Sequence, residues 1–266
     1  MSISAHEQGM LTNFNQAAPR PLLTISDLSA YYGELRALFD VDFEVMSGEV
    51  LTIIGANGAG KSTLLRSIVG MMNRGKAAHI DGQIHFAGHR LDRSSTEAIV
   101  EAGITMVPEG RLLFPRMTVE DNLLVGAYLP KCRASVTEKL EEMFNIFPRL
   151  KERRGQVVSN MSGGEQQMVA VARALMSSPD LIMFDELSLG LAPLVVDEIY
   201  QKVHQINRAG TTCIVIEQDM TRALDVSDRV LVMLEGRVVL EGRPDILSRD
   251  EVAAAYFGSH YNGGMS

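Results

Sequence analysis

Residues 51–63 read LTIIGANGAGKST. The apolar run Leu51 to Ile54 has the length of a buried strand and passes directly into Gly55, Gly58 and Gly60, then into Lys61, Ser62 and Thr63. A strand that empties into glycines and opens a helix is the setting in which G-x-x-x-x-G-K-[ST] carries chemistry. The glycines let the backbone curl so that several N–H groups aim at one anion at the positive end of the helix. Lys61 is expected to reach the terminal phosphates as a point charge, and Ser62 to hold a magnesium ion. Asn57 and Thr63 lie in the same loop and are expected at the phosphates with them. A nucleoside triphosphate with Mg2+ is the ligand this stretch implies.

Outward from this loop the pattern alternates between short strands and helices. Upstream, VDFEV (41–45) places Val41, Phe43 and Val45 on one side and Asp42 and Glu44 on the other, the period of a half-buried strand. Downstream come ITMV (104–107), LIMF (181–184), CIVI (213–216) and VLVML (230–234), most of them separated by helical patterns. That order predicts parallel strands with crossovers. The end, around Glu235 and Gly236, predicts a hairpin. Between residues 88 and 159 helix starts dominate, with capping patterns at Ser94/Glu97, Thr118/Asp121 and Ser135/Glu138. A mostly helical unit over 88–159, inserted into an α/β core formed by 21–87 and 160–257, is the expected organisation. Residues 1–20 read as a leader and 258–266 as a tail.

LIMFDE adds a second chemical group. Asp185 follows the apolar strand at its carboxyl end, where open α/β sheets place ligands. Beside the phosphate loop it is expected to support the magnesium ion, and Glu186 to orient or activate an attacking water.

Composition narrows the class. The 266 residues are 46% hydrophobic and 22% charged, with a net charge of -8, which disfavours a protein that coats nucleic acid. No apolar run approaches the roughly 20 residues of a membrane helix. The two cysteines, Cys132 and Cys213, show neither metal spacing nor a disulfide framework and read as reduced thiols.

A second glycine-rich helix start, MSGGEQQ (161–167), has no lysine. Its helix carries Met168, Val169, Val171, Ala172, Leu175 and Met176 near i, i+3, i+4, i+7 and i+8, so one face is expected to pack inward. GANGAGKS, then MSGGEQQ, then LIMFDE at short distance resembles the ATP-binding subunits of ABC transporters over roughly residues 21–247. The resemblance implies a P-loop NTPase core with a mostly parallel sheet, an N-terminal antiparallel β part and an inserted helical subdomain. It implies that Ser162, Gly163, Gly164 and Glu165 face the ATP of a second subunit, so that two nucleotides lie between two head-to-tail chains. Tyr32 stands where an aromatic ring stacks on adenine, with Tyr31 as the fallback. Ser188 to Leu191, in LSLGLAP, stand where the family crosses its dimer interface. MVPEGRLLFPRMTVEDNLLVGA (106–127) occupies the region that grips the membrane subunit, with Phe114 and Pro115 as an exposed docking surface.

This sequence departs from the family at three positions. Glu109 replaces a glutamine and still suits the metal or a water. Gln218, in VIEQDM, replaces a histidine at the γ-phosphate and, like Glu186, is expected to be catalytic; its amide can donate and accept but cannot carry charge. Leu187 replaces a proline after Glu186. The first two, with VPEGR and SLGLAP, resemble the LivF branch, ATPases of branched-chain amino-acid importers. That resemblance implies a peripheral subunit on the cytoplasmic face of the plasma membrane. Its implied partners are permease subunits, a second ATPase chain (a paralogue or an identical copy) and, indirectly, a solute-binding protein, with no nucleic acid among them. Urea, short amides and lipopolysaccharide are the alternative cargoes. A soluble ABC protein acting on DNA or ribosomes is the alternative outside transport.

Overall fold

Two sheets organise the structure, a computed structural model that describes residues 20–73 and 75–258. The leader and tail expected at the ends lie, apart from Arg20 and Gly258, outside the described residues. The chain begins with β1 (Leu23–Tyr32) and β2 (Leu35–Val45), then runs through β3 (Val50–Ile54) into α1 (Lys61–Ile68). β4 (Ala78–Phe86) and β5 (His89–Arg90) return to the first two strands and complete an antiparallel sheet in the order β2-β1-β4-β5. β4 was not legible as a strand, because only Ala78, Ile84 and Phe86 of its residues are buried.

The chain continues through α2 (Thr96–Ala102), β6 (Ile104–Val107), α3 (Val119–Gly126), α4 (Pro130–Arg133), α5 (Val136–Ile146) and α6 (Pro148–Glu152). Then come α7 (Gly163–Leu175), β7 (Leu181–Asp185), α8 (Pro193–Arg208), β8 (Thr212–Glu217) and α9 (Met220–Val226). The hairpin β9 (Arg229–Leu234) and β10 (Arg237–Gly242) precedes α10 (Arg249–Phe257). The larger sheet has the order β10-β9-β3-β8-β7-β6, parallel throughout except for the β9–β10 hairpin. ITMV therefore belongs to this sheet by pairing with Leu181–Phe184, although it lies within the helix-rich stretch 88–159.

Side chains of the central strands alternate between two cores, as the period of two requires. Leu51, Ile53, Met183, Ile214 and Ile216 pack with Leu23, Ile25, Val41 and Phe43 of the antiparallel sheet and with α1. Ile182, Phe184, Cys213 and Val215 face the other way, against α7, α8 and the helices of the insert. Burial pushes the Cys213 thiol up to about 12, so it stays a packed, inert group.

Three local expectations need correction. The first helix of the insert is capped by Ser95 rather than Ser94; Ser95 Oγ accepts from Ala98 N at 3.3 Å, while Ser94 N is held by Leu91 O in the preceding turn. Ser135 precedes α5 without a side-chain cap, its backbone at φ -115, ψ 17 leaving the extended region a cap needs. The α7 helix is buried on nearly every side rather than on one face, since Gln167 and Ala170 are covered as well as the apolar stripe. Thr118 and Asp121 form the expected capping box.

Candidate functional site

The phosphate loop lies between β3 and α1, and sterics dictate its glycines. A Cβ on Gly55 would lie 2.3 Å from Met233 O, because β9 runs directly alongside. Gly60 caps α1 in the left-handed region at φ 99, where a Cβ would also strike Leu38 at 2.8 Å. The loop encloses Lys61, whose Nζ donates to Gly55 O at 2.6 Å and Ala56 O at 3.1 Å. Burial pulls its ammonium below the usual value, against the carboxylates of Glu186 and Asp185. The loop opens onto a cleft of about 700 Å³ lined by Asn57, Gly58, Gly60, Lys61, Ser62, Thr63, Glu109, Glu186 and Gln218.

The far wall of this cleft escaped sequence reading. It consists of Leu35, Arg36, Ala37 and Phe39 from β2 and Glu235 and Gly236 from the hairpin turn. The available signal was Leu35, an apolar residue beside the Gly33 turn, which remains 68% exposed. Tyr32 OH lies 3.4 Å from Thr63 Oγ1, so this ring is held beside the phosphate loop. Tyr31 is engaged elsewhere, stacked on His79 with centroids 4.6 Å apart.

At the opposite end, Asp185 closes β7 and accepts from Ser62 Oγ at 3.0 Å. Burial pushes its carboxyl above the usual range, Ser62 and Arg66 oppose this, and the Glu186 and Glu109 charges add to it. Ser62, Asp185 and Glu109 together offer only oxygen, a donor set for a hard cation shared with phosphate. Among the described residues, no group of three or more His, Cys, Asp or Glu could hold a metal by itself, so such a cation would need the phosphates as ligands.

Glu186 follows at φ 55, a left-handed backbone that few side chains accept. Gln218, just beyond β8, donates from Nε2 to Glu186 Oε1 at 2.7 Å. The two candidate catalytic residues thus meet across neighbouring strands. Leu187 turns away and is 1% exposed in the core with Phe184, Val196 and Ile199.

Ser162, Gly163 and Gly164 are absent from the lining of that cleft. Ser162 caps α7, its Oγ accepting from Glu165 N and its own N–H donating to Glu165 Oε2 at 2.9 Å. Glu165, expected at a nucleotide, is 8% exposed and turns back onto this cap and onto Arg153 at 3.2 Å. Burial would raise its carboxyl, but Ser162, Arg153 and Arg149 outweigh that and hold it below the usual range. Leu191 lies against Gly163, where an added Cβ would sit 3.4 Å from its side chain. Arg111 approaches the same Cβ position at 3.1 Å, and Val195 covers buried Gly164, 2.3 Å from where its Cβ would be, so the glycines let these neighbours close over the first turn of α7, away from the chain's own phosphate loop.

A second concave surface lies between β6, α3 and α7. It is lined by Met71, Val100, Leu112, Phe114, Val125 and Tyr128, with Arg173 among them. Phe114 is 45% exposed, and Pro115 is exposed beside it. Buried Asn122 fixes this loop by accepting from Phe114 N at 2.9 Å and donating to Phe114 O at 3.1 Å. Arg173 of α7 donates to Leu112 O at 2.8 Å and Arg111 O at 3.0 Å. Neither anchor was recognised from sequence. No helix among the described residues is long and apolar enough to cross a membrane.

Comparison with known proteins identifies the family and several relatives. The family model for the ABC transporter domain matches residues 38–188. The chain is 41% identical over 238 residues to the high-affinity branched-chain amino acid transport ATP-binding protein BraG of Pseudomonas aeruginosa, covering 89% of this chain and 100% of that one. It is 31% identical to a probable branched-chain amino acid transport ATP-binding protein, LivF, of Archaeoglobus fulgidus, covering 86% and 95%. Among solved structures, an ATP-binding cassette of an ABC transporter in its ADP conformation superposes with a TM-score of 0.76 at 29% identity, covering 90% of this chain and 99% of that one.

Proposed function

This chain belongs to the ABC transporter ATP-binding family and is an ATP-hydrolysing transporter subunit; from that premise we propose that it energises import of branched-chain amino acids or similar small polar solutes. The division of parts within the chain carries the reading. The cleft holds a phosphate loop, a carboxylate–amide pair and oxygen ligands, whereas the Ser162–Gly164 turn lies outside it. A neighbouring subunit, paralogue or identical copy, arriving head to tail would bring its own such turn over Lys61. Ser162 to Gly164 of this chain would cover the neighbour's nucleotide in return.

Each residue then has a task. Tyr32, beside Thr63, is the side chain proposed for the adenine. Lys61 leaves the carbonyls of Gly55 and Ala56 for the terminal phosphates, and the loop N–H groups hold the remaining oxygens. Ser62, Asp185 and Glu109 would hold Mg2+, which neutralises phosphate charge when bound. Glu186 accepts a hydrogen bond from the attacking water, and Gln218 fixes the direction of that carboxylate without carrying charge. Closure forms charge-assisted hydrogen bonds of about 1.5–3 kcal/mol each. A few of these exceed the roughly 5.5 kcal/mol that swings a two-state equilibrium from one side to the other.

The groove around Phe114 is the proposed seat of the permease loop. That seat would put the subunit on the cytoplasmic face of the membrane, with the solute-binding protein acting only through the permease. The name of BraG favours branched-chain amino acids over urea, short amides or lipopolysaccharide as the cargo.

Glu186→Gln in the assembled transporter tests the reading. The amide can still accept from Gln218, so ATP binding should persist while hydrolysis falls on the order of 10²–10⁴-fold and the subunits stay closed. Undiminished turnover would remove Glu186 from its role. Hydrolysis by a strict monomer, unaffected by dilution or by changes at Ser162 and Gly163, would overturn the shared site.

A further inference from the structure

One buried carboxylate has no part in the chemistry above. Glu217 ends β8 and is 1% exposed, in a strand otherwise occupied by Thr212, Cys213, Ile214, Val215 and Ile216. Such a group is costly to bury unless hydrogen bonds compensate it. Here both oxygens are engaged: Oε2 accepts from Ser188 Oγ at 2.9 Å, and Oε1 accepts from the buried hydroxyl of Tyr200 on α8. Burial raises the Glu217 carboxyl, while Tyr200, Ser188 and the Gln218 backbone pull it back, as does the Arg222 charge. Arg222 lies over the Tyr200 ring at 5.5 Å, on the outer side of the same group.

The connections close a ring. Glu186 and Ser188 are separated by one residue, Glu217 and Gln218 are adjacent, Ser188 binds Glu217, and Gln218 binds Glu186. Two short backbone segments are thus pinned together at both ends. The segment on the β7 side contains the left-handed backbone of Glu186, a conformation that needs outside support. We propose that Glu217 is a positioning residue for ATP hydrolysis, which with Ser188 and Tyr200 holds the turn after β7 so that Glu186 and Gln218 meet in register. The claim rests on the role given to Glu186 under the proposed function. It adds that Ser188, at the start of the segment assigned to the dimer interface, connects that interface to the water-orienting carboxylate.

The test uses the full-length chain in its assembled transporter, with Glu217→Gln, Ser188→Ala, Ser188→Thr and Tyr200→Phe. Loss of the latch should lower kcat on the order of 10- to 100-fold, as expected for misplacement of a reacting group by about 1 Å. KM for ATP and the affinity for nucleotide should stay within about twofold, because no phosphate contact is touched. Ser188→Thr, which keeps the hydroxyl, should recover most of the loss. The double variant Glu217→Gln with Ser188→Ala should be no slower than the worse single variant, since both break one ring. If Glu217→Gln fails to fold, Ser188→Ala and Tyr200→Phe each remove a single hydroxyl and decide the matter. Unchanged kcat in folded Ser188→Ala and Tyr200→Phe would overturn the claim, as would a loss of kcat that Ser188→Thr fails to repair. Glu186→Gln is measured in parallel. Normal turnover there would remove the Glu186 reading and this claim with it, whereas a stalled Glu186→Gln beside normal latch variants overturns the positioning claim alone.

Discussion

Gly126→Ala sets two physical effects against each other. Gly126 is the last residue of α3, and ordinary helix propensity favours alanine there by about 0.8–1 kcal/mol. Its φ is not positive, so the backbone itself accepts a side chain. Packing opposes the change. The new methyl would sit 1.9 Å from Arg173 O and 2.9 Å from Arg173 C, both on α7, and 3.0 Å from Cβ of Met176, which caps that helix. The carbonyl is backbone and cannot rotate aside, so α3 must lift from α7 by about 1 Å in an interior packed as densely as a crystal. Overpacking of this kind costs about 1–3 kcal/mol, occasionally more. A 1.9 Å approach to a backbone atom puts the cost in the upper part of that range, about 2–3 kcal/mol, so the packing effect wins with a net loss of about 1–2 kcal/mol. For a chain of this size that is a fall in Tm of roughly 2–8 °C. Thermal and urea unfolding of the purified full-length chain, followed by circular dichroism, measure it. An unchanged or raised Tm would refute the reasoning, because propensity would then have outweighed the contact between the two helices.

Two further expectations concern the helices that carry the Ser162–Gly164 turn and the Phe114 groove. Glu165→Ala should cost about 1 kcal/mol at neutral pH through loss of the α7 capping box, whereas Glu165→Gln, which can close the same box, should cost less. The Glu165 carboxyl lies below its ordinary value of 4.5 in the folded protein, so its contribution is intact above that value and is lost as pH falls through the lowered one. Acid unfolding should accordingly be shallower in the Gln variant, and identical acid profiles would count against the cap. Asn122→Ala leaves the Phe114 N–H without its partner, while the Phe114 carbonyl keeps Met117 N at 3.1 Å, at a cost of about 1–3 kcal/mol. It should reduce ATPase stimulation by the permease more than basal hydrolysis of the free subunit; equal losses would argue that the loop is not where the permease rests.

Legibility in the sequence followed the range of the interactions. The phosphate loop, the run LIMFDE and the β9–β10 hairpin were plain because strand, turn and helix lie within about a dozen neighbouring residues and need no distant partner. The Thr118 capping box was local in the same way. Side chains whose meaning depends on a remote strand were not legible. Phe39 and Leu35 are ordinary strand residues until the hairpin turn faces them across the cleft. Glu217 resembles a polar strand end, and only Ser188 and Tyr200, 29 and 17 residues away, show that it is enclosed. Asn122 falls on the inward stripe of α3 between Val119 and Leu123, where its polarity was a signal that composition counts and periodicity overlook. Leu187 had no explanation while the proline of the family was the reference; the structure shows it filling the core beside Phe184 and Val196.

The attachment of Arg173 to the carbonyls of Arg111 and Leu112 has a mechanical consequence. Arg173 lies near one end of α7 and Gly163 begins the other, so the rigid span between them is about 15 Å. A helix gripped at its tail behaves as a lever. Tilting that arm by only about 4° displaces its tip by about 1 Å, enough to stretch a 2.9 Å hydrogen bond past the limit at which it counts as one. With a permease seated on the Phe114 loop and Gly163 over a neighbour's nucleotide, as proposed above, a small push at that loop would suffice to lift the glycine tip, and the same arm run backwards would carry the arrival of ATP to the membrane.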